Sequence, residues 1–94
     1  IDSRNHEAWR RMGFANRVEG DLTGAIDCWK RSLEVGPEDD RTLNDIASAM
    51  DDLGRFKDAN EYYGRVLQVN PDDAYARENI RINERILAKL AQKG

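Results

Sequence analysis

Gly20 and Gly54 stand 34 residues apart, and so do Pro37 and Pro71. Ala15/Ala49, Ala25/Ala59, Arg31/Arg65, Leu33/Leu67, Val35/Val69 and Asp39/Asp73 keep the same offset. Glycine and proline punctuate a chain, so punctuation at a fixed interval means that one supersecondary unit is copied along it. Each copy then buries its apolar face against the next. A stack of that kind presents surface, and its usual work is to hold something.

Between these marks the apolar residues recur with helical spacing. Asn5 is placed to cap a first helix, in which Trp9, Met12, Gly13 and Asn16 lie three or four apart. Gly20 ends it, because glycine takes the left-handed conformation at little cost. Asp21 caps a return helix whose stripe is Leu22, Ala25, Ile26, Trp29 and Leu33, stopped by Gly36-Pro37. The second copy repeats the plan. Asp39 caps, Leu43, Ile46, Ala47 and Met50 make one stripe, and Leu53-Gly54 turns the chain. Phe56, Ala59, Tyr63, Val66 and Leu67 make the return stripe before Asn70-Pro71. Asp73 opens a last helix through Ala76, Ile80, Ile86, Leu87 and Leu90. Short links make consecutive helices antiparallel, and five helices with no alternating β-branched run predict an all-α fold.

Small residues set how closely those helices approach. Gly13 and Ala47 occupy equivalent places on the first helix of each pair, and Ala25 and Ala59 on the second. Side chains that small let backbones come together while Trp9, Trp29, Leu43 and Tyr63 fill the space around them.

Composition excludes several classes of function. The net charge of −3 is spread unevenly: residues 1–18 sum to +2, residues 19–80 to −8 and residues 81–94 to +3. An acidic middle interrupts the basic stripe that nucleic acid needs. Cys28 is the single cysteine, so neither an intrachain disulfide nor a cysteine-based metal cluster can form. No apolar run approaches the ~18 residues that span a bilayer. A phosphate-binding loop, a dinucleotide-type glycine loop and a zinc-protease motif are all missing, so no enzyme activity and no cofactor are expected. His6 sits at a helix start with no evident nucleophile beside it, and Cys28 falls between stripe residues as a partly buried thiol. Glu38, Asp39 and Asp40, like Asp72 and Asp73, read as helix starts favoured by the macrodipole, with too few oxygens for calcium. The lone cysteine and the lack of N-x-S/T sites give a cytoplasmic expectation.

In the first copy Trp9, Met12, Gly13, Ala25, Trp29, Leu33, Val35 and Pro37 resemble the signature of the tetratricopeptide repeat family. Leu43, Ile46, Ala47, Ala59, Tyr63, Leu67, Val69 and Pro71 stand in the same places in the second. The resemblance implies a right-handed superhelical array of antiparallel helix pairs, divided into repeats 6–39 and 40–73 with a capping helix 74–92. Ile1 and Asn5 continue the register backwards, so residues 1–5 are expected to be the end of a preceding repeat in a longer protein. Asn16 and Met50 replace the family's common tyrosine, and Val66 its usual small residue. Arg81 falls where Gly13 and Ala47 lie, so no further close helix pair is expected. Arg77, Arg81, Arg85 and Lys89 give the last helix the charged face that a cap turns to water.

The family binds partners on its concave side, which the resemblance assigns to the first helix of each pair. The positions there are Arg10, Phe14 and Arg17, then Asn44, Ser48 and Asp51, then Glu78, Ile82 and Arg85. The expected function is therefore a non-catalytic scaffold or adaptor. It would hold a peptide or partner helix in this groove, with Phe14 and Arg10 as anchors. Two other readings stay open. The array can be the recruiting region of a larger enzyme such as a transferase, or it can self-associate through the edge carrying Trp9, Met12 and Phe14. Alternatively, Phe14 packs against an upstream repeat. One subgroup of the family grips the C-terminal carboxylate of chaperones with lysines, arginine and asparagines. Here Arg10 stands at a lysine place, Phe14 and Asp45 at asparagine places, and Tyr75 and Asn79 at basic ones, so that specificity does not carry over.

Overall fold

The computed structural model describes residues 4–93 as five helices: α1 (His6–Val18), α2 (Leu22–Val35), α3 (Asp40–Asp52), α4 (Phe56–Val69) and α5 (Ala74–Lys93). No strand occurs among the described residues. Shifting the bounds of α1 and α2 by 34 gives those of α3 and α4. The expected remnant of a preceding repeat lies partly outside the described residues, at positions 1–3.

Local chemistry accounts for each boundary. Asn5, Asp21 and Asp39 accept the Ala8, Gly24 and Thr42 amides at 3.2, 2.9 and 2.7 Å. Asp73 accepts the Ala76 amide at 3.0 Å, capping α5 in the same way. Arg55, at the start of α4, makes no such bond and pairs with Asp58 instead. Both within-pair turns close identically. The Asp21 amide donates to the Asn16 carbonyl and the Arg55 amide to the Met50 carbonyl, each at 2.8 Å. That closure needs positive φ, which Gly20 (87°) and Gly54 (77°) supply.

Each helix packs on its neighbour in chain order, and the body extends 47 × 29 × 17 Å, an open stack and not a closed bundle. Ala25, Ala47 and Ala59 are fully buried among Trp29, Leu43, Ile46, Met50, Tyr63 and Val66. Gly13 marks a close approach of α1 and α2: a Cβ there would lie 2.3 Å from Trp29 Nε1. Polar bonds then tie the stack together. Asn70 Nδ2 donates to Asp40 Oδ2 (3.2 Å), Asn44 Nδ2 to Asp73 Oδ2 (3.0 Å), and Arg65 to Glu38.

Two apolar stripe residues lie outside this core. Met12 and Leu90 are exposed, because each faces an end of the stack that no described helix covers. Three polar residues lie inside it: Ser32, Thr42 and Asn83. On α5, Arg77, Arg81, Arg85 and Lys89 are all exposed, opposite buried Ala76 and Asn83.

Candidate functional site

Gly13 is where the site begins. Because it lacks a Cβ, the Trp29 indole slides beneath α1, and Trp29 Nε1 donates to the Arg10 carbonyl at 3.2 Å. From there Trp29 supports Phe14 edge to face, with centroids 5.6 Å apart and planes at 74°. The Arg10 guanidinium stands 5.7 Å over the Phe14 ring. A fully buried tryptophan thus holds an aromatic ring and a cation at the surface of α1. Phe14 stays 38% exposed, while the Arg10 side chain is only 14% exposed.

On α3 the corresponding positions behave differently. Ser48 is half-buried. Asn44 is committed to Asp73, and its Oδ1 is buried without a hydrogen-bond partner among the described residues. Asp51 accepts the Tyr63 hydroxyl through Oδ2 at 2.8 Å and the Asn83 amide through Oδ1 at 2.7 Å. Both its oxygens are therefore engaged in holding α3, α4 and α5 together. Burial, then the bond and charge of Asp51, push the Tyr63 hydroxyl far above its ordinary pKa, so it remains a donor throughout the working range. On α5, Ile82 is 44% exposed, Arg85 is exposed, and Glu78 stands 3.9 Å from Arg81.

Asp45 was named in the sequence only as a misfit to the carboxylate-gripping pattern, yet it is central to the electrostatics of this face. Burial raises its carboxyl pKa although Arg10, Arg17 and Arg41 all act to lower it. Desolvation wins over three nearby cations, so the carboxylate is poorly solvated and incompletely paired. Asn83 was missed altogether. Its signal was faint: a single asparagine between Ile80 and Ile86 on an apolar stripe.

The opposite side of the stack carries a shallow cavity of about 210 Å³, lined by Lys30, Leu33, Glu34, Tyr62 and Arg65. Arg65 is already bound to Glu38 and lies 5.0 Å over the Tyr62 ring, so its charge is largely committed. Among the described residues no three His, Cys, Asp or Glu side chains gather as a metal site. No described helix is long and apolar enough to cross a membrane.

The chain is similar to the peroxisomal targeting signal receptor of Saccharomyces cerevisiae, 28% identical over 72 residues. It is also similar to the receptor of the same name from Candida glabrata, 31% identical over 72 residues. In both cases the match takes in 77% of this chain and 12% of the length of the relative. Among solved structures, the first TPR of Spaghetti (RPAP3) bound to HSP90 peptide SRMEEVD superposes with a TM-score of 0.53 at 20% identity. That superposition covers 94% of this chain and 99% of the other, a likeness of fold. No protein-family model matches the chain.

Proposed function

We propose that this chain, which shares the fold of a tetratricopeptide repeat domain, is a non-catalytic protein-interaction module that holds a peptide or partner helix against the face of α1, α3 and α5. One observation carries the reading. Trp29, wholly buried, supports a half-exposed phenylalanine on α1, and an almost covered arginine stands beside that ring. Rigid aromatic and arginine anchors of that kind are what interaction surfaces concentrate. Ile82 adds exposed apolar surface on α5, where Arg85 is also exposed, and Arg17 of α1 is partly exposed. Asn44 and Asp51 support the face from below, bound to Asp73 and to Tyr63 and Asn83. Two similarities agree with a peptide as occupant: the relatives are receptors for a targeting signal by name, and the structural neighbour holds a peptide. The role of scaffold or adaptor extends that reading.

The test is site-directed photo-crosslinking. A crosslinker at Ser48 is expected to capture a partner that one at Glu61, on α4, does not. The identified partner is then titrated against Phe14→Ala, with an expected affinity loss of about tenfold or more. Capture from Glu61 alone, or unchanged affinity in Phe14→Ala, rejects the assignment.

Exposed Met12 and Val18 on α1 favour a second reading, self-association through that edge. A concentration-independent monomer mass in light scattering excludes it.

A further inference from the structure

At the α1–α3 end of this face three arginines gather around one half-buried carboxylate, with Asp39 close enough to oppose it. Arg10 and Arg17 of α1 and Arg41 in the first turn of α3 all act on a single carboxylate, Asp45. Among the described residues none of the three forms an ion pair with it within 4.0 Å. The one pair that Arg10 makes, to Glu7, is long at 3.9 Å. Arg10 Nε is buried with no acceptor. Asp45, the local counter-charge, is itself destabilised by desolvation. A guanidinium deprived of water and short of acceptors, as that of Arg10 is, gains most from an incoming carboxylate, which takes its donors in a charge-assisted fork. Beside it the Phe14 ring offers apolar cover.

We propose that this end of the face receives the side-chain carboxylate of an aspartate or glutamate in an extended segment of a partner protein, with Arg10 and Arg17 donating to it and Phe14 covering the adjacent apolar side chain. The inference rests on the reading of the face as a peptide-binding surface and specifies the chemistry of the peptide. A side-chain carboxylate fits better than a chain terminus, because Tyr75 and Asn79 on α5 add no cation to complete a clamp. Asp45 tempers the site. It partly neutralises the arginines while the face is empty and opposes the carboxylate that arrives.

The probes are fluorescein-labelled decapeptides alternating leucine or phenylalanine with glutamate, N-blocked and C-amidated, and the same peptides with glutamine in place of glutamate. Titrated against the whole chain by anisotropy, the glutamate peptide is expected to bind about tenfold tighter than its glutamine counterpart. A version with a free C-terminus should gain no more than about twofold, which separates side chain from terminus. Arg17→Gln is the diagnostic variant, since the Arg17 side chain makes no hydrogen bond among the described residues and the fold does not lean on it. It should remove most of the preference for glutamate. Asp45→Asn should tighten the glutamate peptide about threefold and leave the glutamine peptide unchanged. Equal affinity for the two peptides, a preference that survives Arg17→Gln, or no saturable glutamate binding up to roughly 1 mM overturns the inference. Glutamine peptide that still binds in a Phe14-dependent way would leave the interaction face standing and remove only its acidic preference.

Discussion

Asn83 donates its side-chain amide to Asp51 Oδ1 at 2.7 Å, joining α5 to α3 across 32 residues of chain. The same nitrogen also donates to Asn60 Oδ1 at 3.0 Å, and Tyr63 donates to the other oxygen of Asp51 at 2.8 Å. Four polar side chains from α3, α4 and α5 thus satisfy one another around an asparagine that is only 2% exposed. Removing one member leaves a buried charge or amide unpaired, which is worse than having no polar group there. Asn83→Ala is expected to destabilise by about 1–3 kcal/mol and Tyr63→Phe by about 1–2 kcal/mol in urea unfolding. The double variant should fall short of the sum by at least about 0.5 kcal/mol. Strict additivity would mean that the network does not act as a unit.

Two glycines in helices make opposite predictions. At Gly13 a methyl group would press into the Trp29 ring at 2.3 Å. Gly13→Ala should therefore destabilise by about 1–3 kcal/mol, as should Ala25→Leu and Ala59→Leu, where the side chains are fully buried. At Gly64, midway along α4, an added Cβ meets nothing within 4 Å. Gly64→Ala keeps the native geometry and stiffens the unfolded chain, so it should stabilise by about 0.5–1 kcal/mol. Thermal melts of the four variants should place Gly64→Ala above the parent chain and the other three below it.

How much of this was legible beforehand follows from what a single period can encode. The recurrence at 34 residues carried the helix bounds, the glycine turns and the small residues at the closest helix approaches, because those depend on the identity of nearby residues. Burial of Asn83, Ser32 and Thr42 does not. Asn83 and Ser32 are covered because they find partners on other helices: Ser32, for instance, donates to the His6 carbonyl 26 residues away. Thr42 is covered where it meets Asp39, whose carboxylate takes both its amide and its hydroxyl. Asp51 illustrates the consequence. Helical position assigns it to the open face, and only Tyr63 and Asn83 together reveal that its oxygens are already occupied. The electrostatic weight of Asp45 was hidden for a similar reason, since it depends on arginines from two helices converging.

Asp45 makes stability depend on pH in an unusual direction. Burial raises its carboxyl above the unfolded value, so the folded state binds more protons than the unfolded one between the two pKa values. Its contribution is therefore most favourable below the unfolded pKa of about 3.9 and is lost as pH rises through the folded value. Asp45→Asn, which cannot ionise, should melt higher than the parent chain at pH 7. The gap should narrow as pH falls through the raised folded value and close below about 3.9. An Asn variant that melts lower at pH 7 would mean that attraction to Arg10, Arg17 and Arg41 outweighs the desolvation of the carboxylate.

Cys28 is expected to behave as a shielded thiol. It is buried on α2, and Asn16 donates its side-chain amide to the sulfur at 3.4 Å. Burial is the main cause that pushes its pKa up, helped by the negative charges of Asp27 and Asp21, while the Asn16 bond pulls weakly the other way. Reaction with an aromatic disulfide reagent requires both access and thiolate, and this environment withholds each. At pH 8 the folded chain should react at least about tenfold more slowly than the same chain in denaturant. Its rate should keep rising with pH beyond the point where the unfolded thiol has levelled off. Should native and denatured chains react at the same rate, Cys28 would have to be open to solvent, and the packing of α1 against α2 around Asn16 would be wrong.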